Sequence, residues 1–529
     1  MILLRFGLII FLVTLSLLLL PSQSFSKRQW QKEYGDTLVI GDFGKPSPIN
    51  PILTRSTISA MLKGIIFDGL IKVNEKLEVQ PNLALSWNNS ADGLHWKFCL
   101  KKGIRFHDGT ELIAEDVKFT LDAILDQTNN SPYLNLLQGI KKVQAKDKYQ
   151  VEITLKYPMA SLLFYLDVGI LPKHLLDGKD ITKDEFNYHP IGTGPFKLLG
   201  WSEDEIILEA NEGYFLGRPQ LEKIIAKIFP NQSVVWAELM KKELDLIFFT
   251  FPKSYRIIER IPDYHVHSFL SLYSYILVFN NNDLFKNGKV RKALNYAVNI
   301  DEIIKRTLLG KGRSSSGTIY PLSWAYDPDL KPYPYNPKKA LELLNHEGWR
   351  DTNGNHILER NGREFGFALL IVKGDEVSSK TALQIQQQLL DIGIKMKVKP
   401  LPFPSYENSL LTKRFDAALL SIISDDPDKN YAWWHSSRIN GGFNVFSYRN
   451  KKVDELLDKG RTTVDREERR GIYHQFQREI HDDPPGVFLF WRDYLIGIHK
   501  RFKGVRLNPA RILSNINEWY VPKGEQKYR

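Results

Sequence analysis

A single cysteine, Cys99, stands in a chain of 529 residues, so neither an internal disulfide nor a thiolate metal cluster is available. The sequence carries no Gly-x-Ser-x-Gly elbow, no His-Glu-x-x-His pair and no Gly-x-x-x-x-Gly-Lys phosphate loop. It therefore lacks the residue spacings of the common hydrolases, zinc proteases and nucleotide-binding enzymes. His265 and His267 alternate onto one face of a strand, but two ligands without a third make a poor metal site. Asp425-Asp426 could act as a glycosidase acid only with a partner carboxylate at a set distance, which spacing does not supply. Basic blocks are missing too: the net charge is +11, but the bases are spread along the chain, which argues against nucleic acid as a partner. Long apolar runs are absent after the first twenty residues, and no internal repeat or low-complexity linker is visible.

The first 26 residues differ from the rest. Arg5 precedes an uncharged apolar run from Phe6 to Leu20, then come Pro21 and Ser24-Phe25-Ser26. That is the layout of a secretory signal, with cleavage expected after Ser26; the alternative is an uncleaved membrane anchor. Removing Arg5 with the signal leaves a charge of +10. No cysteine near the site supports a lipid anchor. Cys99 lies in Trp96-Lys97-Phe98-Cys99-Leu100, a strand pattern in which it reads as a small buried hydrophobe.

The length calls for two or three domains. Thr37 to Asp42 reads as a buried strand, and Ile58, Met61, Leu62 and Ile65 give a helix ending in Asp68-Gly69-Leu70. Asp108-Gly109 forms a tight turn, and next to His107 a turn outweighs acid–base chemistry because no nucleophile accompanies it. Val117, Leu121, Ile124 and Leu125 supply one helix face. The glycines and prolines of Ile191-Gly192-Thr193-Gly194-Pro195 favour a turn through positive φ, followed by a hairpin through Phe196-Leu198 and Ile206-Leu208. Tyr275 to Asn280 reads as a buried strand opening a new domain, with Asp301 capping a helix, Asn336-Pro337 starting another and Gly348 ending it. Asp351 to Asn355 has the look of a calcium loop, but His356 occupies the glycine position and a polar turn is the better reading. Asp465 and Glu468 cap a helix that Pro484-Pro485 stops, and Val487 to Trp491 returns as a strand.

Several separated motifs then fall in one order: Pro81-Asn82-Leu83-Ala84, Ser86-Trp87, Phe106-His107-Asp108-Gly109-Thr110, Gly192-Thr193-Gly194-Pro195-Phe196, Asn211, Tyr214-x-x-Gly217-x-Pro219-x-Leu221, and Tyr448-Arg449-Asn450. Together they resemble the family 5 extracellular solute-binding proteins, the peptide- and nickel-binding receptors of bacterial ABC importers, over nearly all of the mature chain. The resemblance implies an α/β, periplasmic binding protein-like fold of two hinged lobes plus an inserted extra domain. Residues 1–26 would be the signal; 27–71, 187–274 and 492–529 a discontinuous domain I; 72–186 an inserted domain II; and 275–491 domain III. It also implies a non-catalytic, monomeric periplasmic receptor with no cofactor. Such a receptor captures peptides or peptide-like ligands between domains I and III and delivers them to membrane permease subunits. A nickel-chelate or other non-peptide solute is the alternative, with His435 the residue to mutate.

A binding cleft needs aromatic walls and a few polar anchors. Tyr431, Trp433 and Trp434 follow Asp425-Asp426-Pro427-Asp428, and either a hydrophobic seam or a ligand wall fits them. The resemblance favours the wall and adds Tyr133 and Trp491. It also exposes a departure. Peptide receptors of the family commonly place an aspartate four residues before the Asp-Pro proline, where it pairs with the peptide amine; here that position is Ile423, and the accompanying tryptophan is Leu420. Isoleucine cannot pair with an ammonium. Asp425 is the candidate substitute, and Arg55 stands about where some oligopeptide receptors carry an acidic cleft residue. The ligand expected from this set has a blocked amine or an anionic group.

Overall fold

Two long strands, Tyr264–Phe279 and Gly486–His499, form the spine of the molecule. They belong to an 11-stranded sheet. On one flank of the spine lie Leu246–Phe248, Thr37–Phe43, Lys223–Phe229, Glu205–Ala210 and Phe196–Trp201; on the other lie Ala417–Ile423, Gly366–Val372 and Lys395–Leu401. The short strand Gly312–Ser314 adds to Gly486–His499. The computed structural model describes residues 33–54, 56–248 and 252–528, so the expected signal and Arg55 lie outside the described residues. Among the described residues no helix is long and apolar enough to cross a membrane.

Alternation explains why the Ser274–Phe279 end of the spine is buried on both faces. Tyr275, Leu277 and Phe279 enter one core with Phe285, Ala293, Leu369 and Ile385. Ile276 and Val278 enter a second with Trp434, Tyr448 and Phe476. Strand side chains alternate with period 2, so one apolar run serves two layers. Residues Tyr275 to Asn280 therefore do not open a new strand; they finish one that begins at Tyr264. The far flank is parallel where Gly366–Val372 pairs with Lys395–Leu401, joined by the helix Glu376–Leu390. A second, four-stranded antiparallel sheet holds Ala84–Asn89, His95–Leu100, Gln150–Leu155 and Ile140–Asp147, and Val117, Leu121 and Ile124 of helix Ala114–Leu125 are buried beside it. Cys99 on this sheet is half-buried rather than buried, because it points away from the face that Phe98 and Leu100 fill.

The expected turns and caps form, with two changes of cause. Asn336 accepts from Lys339 N with Pro337 in the first turn, Gly348 has φ +86°, and Asp465 accepts from Glu468 N. Asn299, not Asp301, caps the helix Ile300–Thr307; Asp301 instead accepts from Ser314 Oγ. Asp351 accepts from the amides of Gly354 and His356, which makes the polar turn. Gly192 and Gly194 are not among the positive-φ glycines. A Cβ on Gly192 would stand 2.0 Å from Ile66 O, and one on Gly194 2.4 Å from Ile65 O. Glycine is required there for close approach to the end of helix Thr57–Ile66, not for backbone handedness.

That close approach explains much of the motif spelling. Buried Asp68 accepts from Asn82 Nδ2 at 2.9 Å and from Thr193 Oγ1 at 3.3 Å, with Tyr214 Oη at 3.5 Å. Asn211 Nδ2 donates to Gly194 O. Gly192 N donates to His107 Nδ1, so Nε2 carries the proton that goes to Gly194 O. Burial, opposed by the Gly194 hydrogen bond, pulls the His107 pKa down to about 4. His107 is a neutral clamp on the turn, while Asp108 pairs with His174 at 2.7 Å and accepts from Thr110 N.

Candidate functional site

The spine loses its regular pairing at two places, a single-residue slip at Tyr275/Ile276 and a larger break just before it. Leu270 still faces Asp493, but the next pair is Ser274 with Trp491, so Ser271, Leu272 and Tyr273 stand against the single residue Arg492. Such a bulge bends the strand and leaves backbone groups to be satisfied from outside the ladder. Ser271 Oγ donates to Arg492 O, Tyr320 Oη donates to Leu270 O, and Ser424 N donates to Leu272 O. The last contact pins the end of strand Ala417–Ile423, whose Ile423 pairs with Tyr273.

Beyond Ile423 the chain leaves the sheet through Ser424 to Asp428 and enters the helix Lys429–Trp434. This segment has two sides. Toward solvent, Ile423 is 43% exposed, Lys429 is half-buried, and half-buried Trp433 stacks on exposed Phe443 with centroids 5.0 Å apart. Asp425, half-buried, is held by Lys429 at 2.5 Å. Its carboxylate is thus neutralised from within its own turn, and the strand ends before Asp425 can follow Ile423 in extended alternation. A small cavity of about 10 Å³ lies here, bordered by Ile423, Lys429 and Trp433 at its outer side and by Ile276, Ile422 and Trp434 behind.

The other side of the segment is ionic and buried. Asp428 lies 3.3 Å from Arg461 and accepts from Ser161 Oγ at 3.2 Å. Asp426 lies 3.9 Å from Arg469. Ala160 N donates to Arg461 O, and Arg469 Nη1 donates to Ala160 O. Ser161 and Ala160 come from the part of the chain built on the four-stranded sheet, so this junction ties that part to the segment 423–434 and to the helices of Arg461 and Arg469. Burial, opposed by Arg469, raises the Asp426 pKa to about 6. Tyr165, buried among these carboxylates, has its pKa raised by burial first and by their charge second.

The expected site residues divide accordingly. Ile423, Asp425 and Trp433 come together on the outer side of the segment. Trp434 and Trp491 are 0% and 1% exposed: Trp434 donates Nε1 to Asn430, and Trp491 packs edge-on against Tyr320. Tyr133 is half-buried and accepts from Lys63 Nζ at 3.0 Å. His435 is buried, with Nδ1 on Ser437 and Nε2 3.4 Å from Asp458, and it stacks on Tyr431. His265 and His267 do share a face, with rings 4.6 Å apart, and among the described residues no group of three or more candidate ligands gathers around a metal position. Sequence reading missed the Ser161–Asp428 junction entirely; the aspartate triplet was the only signal. A larger cavity of about 580 Å³ lies between helix Ala114–Leu125 and residues 176–183. It is confined to one lobe and Phe119 is its only aromatic, so it does not meet the needs of a cleft between lobes.

Comparison with known proteins gives the context. Residues 78–442 match the model of the bacterial extracellular solute-binding proteins, family 5. The oligopeptide-binding protein AppA of Bacillus subtilis is 34% identical over 518 residues, covering 95% of this chain and 94% of that protein. A solved structure of AppA in complex with a nonapeptide superposes with a TM-score of 0.76 at 32% identity, covering 93% of this chain and all of that one. NikZ from Campylobacter jejuni in complex with Ni(L-His) superposes with a TM-score of 0.79 at 31% identity, covering 92% and 99%.

Proposed function

The chain belongs to the bacterial extracellular solute-binding proteins of family 5, and from that premise we propose that it is a peptide receptor closing by a hinge at the Ser271–Tyr273 bulge. Its two flanks are joined through the two strands of the spine, and the bulge lies beside the outer face of Ile423, Asp425 and Trp433. That adjacency is the observation that carries the reading: bending at the bulge swings this face, with Tyr133 contributed from the opposite side of the cleft. The domain limits set by sequence, at 274 and 491, fall within this stretch of the spine. The receptor hands its ligand to membrane permease subunits, works as a monomer without catalytic turnover, and reaches the periplasm by cleavage after Ser26.

The ligand lacks the usual demand for a carboxylate at its amino end. Ile423 offers none, and the Asp425 carboxylate is already paired with Lys429. A blocked amine or an anionic group suits this face better than the ammonium of an ordinary free dipeptide. The nickel-chelate alternative gains little from His435, whose two nitrogens are both turned to neighbours within the lobe. Native mass spectrometry of freshly purified protein, followed by calorimetry with free and N-acetylated peptides, tests the reading. Retained peptide mass and tighter binding of the acetylated series are expected; metal retention without peptide defeats it.

A further inference from the structure

The 10 Å³ cavity behind Ile423 is bordered by an unusual set of polar groups. Ser274 is the first residue paired after the bulge, and Thr318 ends the hydroxyl-rich stretch Ser314-Ser315-Ser316-Gly317-Thr318. Both are buried, at 1% and 5% exposure, and the side-chain oxygens of both lack a hydrogen-bond partner. Ser424, Asn430 and Lys429 on the lining are engaged. Ser424 Oγ donates to Thr318 O, Asn430 donates to Pro427 O and accepts from Trp434, and Lys429 is held by Asp425. Buried hydroxyls without partners are costly and uncommon, so two on one cavity need a reason.

We propose that Ser274 and Thr318 form a subsite that recognises a small neutral hydroxyl-bearing side chain of the bound peptide. The inference rests on the peptide reading above and names what that peptide carries. Each protein hydroxyl can donate and accept, and so can a ligand hydroxyl, which satisfies both at once. The volume suits one group about the size of a water molecule. A carboxylate or guanidinium is too large, and it would be desolvated against Ile276, Ile422 and Trp434 with the only nearby cation already paired. Sites that hydrogen-bond a ligand hydroxyl reject the analogue lacking it, because their own groups are then left unpaired.

The test uses alanine tripeptides and pentapeptides carrying a single serine at each position in turn, free and N-acetylated, measured by calorimetry on the full mature protein. Wild type is expected to favour one serine position over alanine by about tenfold. Ser274→Ala/Thr318→Val is expected to bind the serine and alanine members of that pair within about twofold. Without ligand, the double variant should melt at or above the wild-type temperature, because it buries fewer unpaired polar atoms. Wild type that binds the peptides with no serine preference overturns this inference alone, as does a preference that survives in the double variant. A fall of several degrees in the melting temperature also overturns it, by assigning the hydroxyls a purely structural role. Wild type that binds none of the probes overturns the peptide reading, and this subsite with it.

Discussion

The parts of the molecule are joined in two places built on opposite principles. At the spine they share backbone: two continuous strands, with a three-against-one bulge whose amides and carbonyls are held by Ser271, Tyr320 and Ser424. At the junction they share side chains: Asp426, Asp428, Arg461 and Arg469 meet Ala160, Ser161 and Tyr165. A covalent link cannot be undone by opening the lobes. If the molecule hinges at the bulge as proposed, a contact between side chains from different lobes exists only while they are closed. On that proposal the spine is where motion is permitted, and the junction is where closure is read out. The segment 423–434 joins the two, since one side of it lies on the bulge and the other supplies the junction carboxylates.

The largest test of this contrast is Arg469→Met. Arg469 is 6% exposed and donates to Gly460 O and Ala160 O while facing Asp426. Removing one partner of a buried ionic set leaves the other charge uncompensated, which costs about 3 kcal/mol or more. Urea unfolding should show that loss. A change below about 1 kcal/mol would mean that the junction is not a closed ionic cluster.

Ser161→Ala should act more narrowly. Its hydroxyl crosses from one lobe to Asp428 of the other at 3.2 Å. Losing it weakens the closed state by about 1 kcal/mol, so ligand affinity should fall about fivefold while the unfolding midpoint of the free protein moves little. Calorimetry and unfolding, run side by side, separate the two effects. Equal loss in both would show that the contact is present in open and closed forms alike, and the contrast with the spine would fail. At the spine the pattern reverses. Tyr320→Phe removes the hydrogen bond to Leu270 O at 2.7 Å and should cost about 1 kcal/mol of folding stability, with affinity within about twofold of wild type.

Much of the turn and cap structure was legible in the sequence because its motifs are local. The hairpin, the Asp108-Gly109 turn and the Asn336 cap depend on residues a few positions apart, and local chemistry dictates them. The reason for the Gly-Thr-Gly spelling was not legible, since it depends on Ile65 and Ile66, more than a hundred positions upstream. The same holds for Asp68, which gathers Asn82, Thr193 and Tyr214 although it looks like an ordinary turn residue in the chain. Of the expected site, Ile423, Asp425 and Trp433 were placed together because they are neighbours in sequence. That Lys429 neutralises Asp425 is readable as an i, i+4 pair, but only once the helix start is known. The junction could not be read at all: Ser161 and Asp428 are 267 residues apart, and a serine gives no sign of its partner.

The smallest effect concerns pH, and it distinguishes the junction from the spine by titration alone. Asp426 faces Arg469, Asp425, Asp428, Tyr165 and Tyr473, and burial raises its pKa from the ordinary carboxylate value to about 6. A raised pKa means that the folded protein holds the proton more tightly than the unfolded chain does. The contribution to stability is then fully present below the unfolded value near 3.8 and is lost as pH rises through 6. Lowering the pH from 7 to 6 should therefore stabilise wild type by about 0.4 kcal/mol relative to Asp426→Asn, which cannot titrate. The difference between the two proteins is the quantity to follow in urea unfolding at each pH, because it cancels every other group. A Tyr320→Phe variant, altered only at the spine, should keep the wild-type slope. If Asp426→Asn also keeps it, the carboxylate is hydrated in the folded protein, and the junction is no more closed to water than the hinge.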